Sequence, residues 1–100
     1  MRVSVNGQFA FVYTGKSEHL PNQSAVVFIH GAGLDHTVWV LPSRYFSRHG
    51  FNVIAPDLPG HGRSSGESLN KIETMADWII ALLDASGLSR HLSLATVWDR

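Results

Sequence analysis

The order of strand-like and helix-like segments in this chain predicts an α/β fold, an N-terminal hairpin followed by parallel βαβ units. Three observations carry that prediction. Ala25–Ile29 (AVVFI) is a compact apolar run of the kind that strands buried on both faces require. A second such run, residues 51–55 (FNVIA), follows after a helical stretch. Further along, Ile72, Met75, Ala76, Ile79, Leu82 and Leu83 recur at helical spacing and form one apolar face.

Taken in order, residues 3–6 and 9–14 read as two short strands around Asn6-Gly7, a dipeptide suited to a hairpin turn. Residues 16–24 are polar and contain Pro21, so they read as a loop. After the third strand a turn, Gly31-Ala32-Gly33, leads to a helix expected from about Trp39 to His49. Pro42 lies near its start, where a missing N–H does least harm, and Gly50 is the stop signal. A long turn over residues 57–66 follows the fourth strand. The second helix opens on a capping-box-like Asn70 and Glu73 and ends at Gly87. Its Trp78 and Ile80 fall off the main apolar face, and a last strand is expected at residues 91–95. No repeat, low-complexity tract or linker divides the chain, which reads as one partial domain over residues 1–100.

Composition narrows the function classes. The chain is formally neutral and only 16% charged, which gives no electrostatic reason to expect nucleic acid or an anionic membrane as partner. No apolar stretch has signal-peptide or membrane-span character, so the expected compartment is the cytoplasm. With no cysteine, disulfides and thiolate chemistry are excluded.

Two segments sit at the C-terminal ends of strands, where a parallel sheet places its chemistry. One is Phe28-Ile29-His30-Gly31-Ala32-Gly33, with Trp39 downstream; the other is Ala55-Pro56-Asp57-Leu58-Pro59-Gly60-His61-Gly62-Arg63-Ser64. In this order, with a helix between them, they resemble the N-terminal portion of the α/β-hydrolase fold superfamily, carboxylesterase- and lactonase-like, over roughly residues 9–94. The resemblance implies an incomplete α/β-hydrolase sheet and a hydrolase that acts on a small ester-like substrate without a cofactor. It implies that the backbone N–H of Ala32, with Gly33 as second choice, donates to the oxyanion. Glycines beside such a donor let backbone approach substrate closely. Asp57, Gly60, Gly62 and Arg63 are then turn-building residues, and His61 holds a structural or pocket-lining place. Leu34 and Trp39 are candidates for the pocket mouth, with ordinary packing an equal alternative for both.

Other patterns are weaker. Gly62-Arg63-Ser64-Ser65-Gly66 matches the nucleophile motif Gly-x-Ser-x-Gly. That motif works only when a strand enters it and a helix leaves it at once, which the spacing here denies. A dinucleotide reading of the Gly31-Ala32-Gly33 turn fails because His36 stands where the third glycine should be. His19, His30, His36, His49, His61 and His91 form no metal-binding helical pair and read as scattered surface and turn residues.

In the resembled fold the strand near residue 91 leads into the nucleophile elbow, whereas here Ala95-Thr96-Val97-Trp98-Asp99-Arg100 follows. Shifted by one base, codons for this tail can encode Gly-His-Ser-Met-Gly-Ser, so an out-of-frame elbow is one expectation and a gene-fragment boundary another. The triad is absent, and the chain alone is expected to be inactive. An apolar last strand left at the sheet edge would favour self-association. The alternatives are a non-catalytic ligand-binding or interaction module of the same fold, or a vestigial truncated product. Sister branches use an aspartate nucleophile on alkyl halides or epoxides.

Overall fold

A computed structural model describes residues 1–15, 23–31, 33–66, 71–87 and 94–98. The N-terminal hairpin pairs β1 (Arg2–Val5) with β2 (Gln8–Tyr13), with Val5 opposite Gln8. Asn6 and Gly7 make the two-residue turn with φ of 51° and 79°, the left-handed pair that matches the twist of a hairpin. Asn6 therefore belongs to the turn and not to the strand, and both strands lie one residue earlier than their expected bounds.

The sheet continues through β3 (Ala25–Ile29), β4 (Asn52–Pro56) and β5 (Leu94–Trp98), in the order β1-β2-β4-β3-β5. β3 pairs in parallel with β4 and β5, while β2 runs antiparallel to β4. β3 thus has β4 on one side and β5 on the other. Such a reversal of strand order is a topological switch point, and the crevice beyond the strand's carboxyl end is where open α/β sheets bind ligands. The last strand is displaced from its expected span. Residues 91–93 lie outside the described residues, and Leu94 to Trp98 pair in register with Ala25 to Ile29. β-branched Thr96 and Val97 and aromatic Trp98 suit a strand, so the tail continues β5 instead of leaving it.

Successive side chains of a strand face opposite sides, so the alternation sorts the core into two layers. Val27, Ile29 and Ile54 point to one side, where Trp78, Ile79, Leu82 and Leu83 of α2 (Ile72–Ser86) cover them. Val26, Phe28, Val53 and Ala55 point to the other, against Trp39 and Phe46. Phe46 belongs to α1 (Val40–Arg48), which is preceded by a 3-10 turn, His36–Trp39. That turn was not anticipated, and it begins three residues before the expected helix start at Trp39.

Both helices end as anticipated. Beyond α1, Gly50 takes a left-handed φ of 87° and the Phe51 amide bonds back to the Phe46 carbonyl at 3.1 Å. The Phe46 and Phe51 rings meet edge-on at 5.3 Å, the apolar contact that accompanies this type of helix stop. Gly87 closes α2 in the same left-handed region. The start of α2 differs: its cap is Lys71, which makes no side-chain cap bond, and Asn70 lies outside the described residues. The apolar face is also rotated from expectation. Trp78 is buried at 6% exposure, Ala76 is exposed, and Ile80, at 59% exposure, stays off the face. Positions 75, 78, 79 and 82 share a helical stripe, and the large indole at 78 moves the buried stripe toward itself. Among the described residues, no helix is long and apolar enough to cross a membrane.

Candidate active site

The chain leaves β3 through His30 and Gly31 and leaves β4 through Asp57 and Leu58, all buried. These two exits lie side by side because β3 and β4 are parallel neighbours. Their loops are joined by side chains that the two motifs supply to each other.

His30 Nε2 lies 2.9 Å from the Leu58 amide, and its Nδ1 lies 2.8 Å from the Gly31 carbonyl oxygen. An amide can only donate and a carbonyl can only accept, so these partners assign the neutral imidazole with its proton on Nδ1. Burial depresses the His30 pKa below the ordinary histidine value; the Gly31 carbonyl opposes this and nearby His61 reinforces it. His61 repeats the arrangement in the other direction. Its Nε2 accepts from the Gly33 amide at 3.1 Å while its Nδ1 faces the Pro59 carbonyl at 3.1 Å. The two rings sit 5.1 Å apart.

Asp57 is the second tie. Its buried Oδ1 accepts from the His36 amide at 2.6 Å and meets His36 Nδ1 at 2.9 Å, and its Oδ2 accepts from the Arg63 amide at 2.9 Å. Only a glycine fits at position 62, since a Cβ there would stand 2.4 Å from Asp57 Oδ2 on a backbone of φ 49°. His36 is only 13% exposed and packs on Phe11 and Tyr13. Expected among scattered surface and turn residues, His36 does lie in a turn, but it is largely buried and links the two loops through Asp57. His30, expected as a motif and turn residue, is buried, whereas His49 is exposed and His19 and His91 lie outside the described residues. The legible clue to His36 was Asp35 with Thr37, because Asp35 Oδ1 accepts from the Thr37 amide at 2.9 Å and its hydroxyl at 2.5 Å, capping the 3-10 turn. The same two bonds, the hydroxyl first, draw the Asp35 carboxyl below its ordinary pKa.

Asp35, His36 and Asp57 bring donor atoms within 4.8 Å of one another. Their oxygens already serve Thr37, His36 and Arg63, so protein hydrogen bonds account for the grouping.

A cleft of about 500 Å³ opens over these loops, walled by Gly33, Leu34, Asp35, Val38, Gly60 and His61 among others. Leu34 and His61 both border this cleft. Trp39 does not line this cleft; it stacks on Phe28 at 4.8 Å beneath α1. Ala32, the first choice for an oxyanion donor, lies outside the described residues. Gly33 is described, and its amide is engaged by His61.

The Gly62–Gly66 match to a nucleophile motif is a loop, with α2 starting only at Ile72. Its serines are spent on the sheet. Ser64 Oγ accepts from the Phe11 amide and donates to the Asp57 carbonyl at 2.6 Å, and Ser65 Oγ accepts from the Phe9 amide. They continue the edge of β2 after β4 has ended.

A mixed sheet with a switch-point cleft, built from a His-Gly turn and an Asp-Leu-Pro-Gly-His-Gly turn, defines an N-terminal portion of a hydrolase-type α/β domain. The alpha/beta hydrolase family profile matches residues 26–94, and the chain belongs to that family. It is 34% identical over 64 residues to (E)-2-((N-methylformamido)methylene)succinate hydrolase of Acinetobacter baylyi, a match that covers 63% of this chain and 24% of that protein. Among solved structures, a CIB-like hydrolase from Thermoplasma acidophilum superposes with a TM-score of 0.79 at 25% identity, covering 96% of this chain and 48% of the other. A bacterial membrane phospholipase A also gives 0.79, at 30% identity, over 96% of this chain and 30% of its own length. The chain thus spans about a quarter of the curated relative and at most about half of these structures.

Proposed function

We propose that this chain is the N-terminal portion of a serine hydrolase that cleaves carboxylic esters or lactones. The observation that carries the reading is the Gly31–Gly33 turn. Gly31 follows the carboxyl end of the switch-point strand and Gly33 lines the cleft, with the two loops pinned by His30, His61 and Asp57. In the proposed reaction a serine hydroxyl, from residues not among these 100, loses its proton to a general base and attacks the ester carbonyl. The ester C–O bond then breaks, the protonated alcohol leaves and an acyl-enzyme remains for water to hydrolyse. The carbonyl oxygen becomes an oxyanion, and the Ala32 N–H donates to it. A donor fixed in advance stabilises that charge without reorganisation, and losing one such donor typically costs about 10²–10³ in kcat. Leu34 and Val38, 41% and 40% exposed, give the cleft an apolar wall suited to the acyl or alcohol part of such a substrate. Kinship with proteins named as a hydrolase and a phospholipase A supports an acyl-bond substrate.

On this reading the 100-residue chain is inactive, since an oxyanion donor without nucleophile and base is only part of the machinery. The test is to read the coding DNA past the Arg100 codon in all three frames and express any longer product. Hydrolysis of p-nitrophenyl acetate by that product, and none by this chain, is the expected result. A longer product that lacks Gly-x-Ser-x-Gly and cleaves no ester would overturn the proposal in favour of a binding module.

A further inference from the structure

The two loops of the site hold each other through a reciprocal exchange. The histidine of the first loop accepts the Leu58 amide of the second, and the histidine of the second accepts the Gly33 amide of the first. We infer that His61 is a positioning residue for the Gly31–Gly33 turn, acting with His30 as a clasp that closes only while both imidazoles are neutral. The inference rests on the reading of that turn as the oxyanion-binding element and says what holds it in place.

Both nitrogens of each ring are committed. Nδ1–H donates to a carbonyl of its own loop, Gly31 for His30 and Pro59 for His61, and this leaves the Nε2 lone pair facing the other loop. An amide N–H has no lone pair, so proton uptake at Nε2 replaces an acceptor by a second donor aimed at the first. The contact then changes from attraction to repulsion. With the rings 5.1 Å apart, a charge on one also opposes a charge on the other. The surrounding charges are few. Asp57 is buried nearby and already bonded to His36 and to the Arg63 amide, Asp35 stands on the cleft wall, and the Arg63 guanidinium lies over the Phe11 ring. Among the described residues both imidazoles hydrogen-bond only to amides and carbonyls, and Asp57 and Asp35 favour a charge on His30 through space alone, less than burial opposes it.

His61 is thereby distinguished from a general base. A base must present a free lone pair to substrate, whereas this lone pair is turned inward onto Gly33.

The test is NMR on the 100-residue chain without substrate. Long-range ¹H–¹⁵N spectra near neutral pH should show His30 and His61 as Nδ1–H tautomers. On acidification the Gly33 amide shift should follow the His61 titration. In His61→Gln the amide oxygen can still accept, so Gly33 should keep its hydrogen-exchange protection while its pH dependence disappears. In His61→Phe that protection should fall about tenfold, the loss of one hydrogen bond of ordinary strength. A His61 Nε2–H tautomer overturns the inference, as does a Gly33 titration that survives His61→Gln. Should His61→Phe fail to fold, the wild-type tautomers and the Gln variant still decide. Ester hydrolysis plays no part in this readout, so the clasp and the proposed function can fail separately.

Discussion

Replacing Gly62 by alanine should unfasten the two loops at Asp57. The new Cβ would stand 2.4 Å from Asp57 Oδ2, 2.5 Å from Cγ and 2.8 Å from Oδ1. Ordinary contact begins at 3.4 Å, so the carboxylate must retreat by about 1 Å. It has nowhere to retreat without loss, because Oδ1 holds the His36 amide at 2.6 Å and Oδ2 the Arg63 amide at 2.9 Å. Hydrogen bonds to a charged group contribute about 1.5–3 kcal/mol each. The left-handed backbone at 62 adds about 1–2 kcal/mol against any side chain. If one or both bonds are lost, Gly62→Ala should cost about 2.5–8 kcal/mol, a large share of the stability of a small domain. Gly50→Ala is the matched control, since its φ of 87° carries the same backbone penalty with no atom within 4 Å of the added Cβ. Urea unfolding followed by far-ultraviolet circular dichroism should place the Gly62 variant at least about 1.5 kcal/mol below the Gly50 variant. A Gly62 variant that is unfolded beside a folded Gly50 variant agrees with the account. Equal losses would refute the reasoning that Asp57 is locked by the missing Cβ.

Three further outcomes follow from the same contacts. His30 holds its proton less readily folded than unfolded, so the chain should be fully stable above about pH 6.5 and lose stability as pH falls below it. The slope should reach at most about 1.4 kcal/mol per pH unit, and His30→Gln should remove this contribution in urea titrations at stepped pH; an unchanged slope contradicts the assignment. Trp78→Ala should cost about 3–5 kcal/mol and Ile80→Ala within about 0.5 kcal/mol, because the first empties a core site and the second trims an exposed side chain. Reversed magnitudes in denaturant melts would put the α2 face back where its spacing first suggested. Asp35→Ala should destabilise by about 0.5–2 kcal/mol through loss of the cap on the 3-10 turn, and Asp35→Asn should recover most of that; equal losses in the two variants would argue against capping.

Strand and helix identities were legible in the sequence because they rest on local patterns. AVVFI can be buried on both faces only as a strand, Asn6-Gly7 is built for a two-residue hairpin, and Gly50 and Gly87 stop helices by the conformations they allow. What escaped depends on partners distant in the chain. Trp78 is buried in a core shared with residues of β1, β2, β3 and β4, which the wheel of its own helix does not reveal. The span of β5 is decided by the length of β3, whose register it follows to Trp98. The same division runs through the site. The His-Gly turn and the Asp57–Gly62 turn could be placed by motif, and a turn-building role for Asp57 and Gly62 followed. That His30 and His61 exchange amides across the loops, and that His36 closes on Asp57, could not be read from spacing. Each of those bonds joins residues at least 21 apart, and only the parallel pairing of β3 and β4 brings them together.

The central claim is that this chain supplies an oxyanion turn to a serine nucleophile carried elsewhere. Labelling with a fluorophosphonate probe tests it most directly, applied to this chain and to the product of the reading frame that continues past the Arg100 codon. The account predicts a single labelled serine in the longer product, ester hydrolysis that is lost with the label, and no labelling of Ser64, Ser65 or any other serine of this chain. Labelling of this chain itself, or a longer product that resists the probe and cleaves no ester, would contradict it.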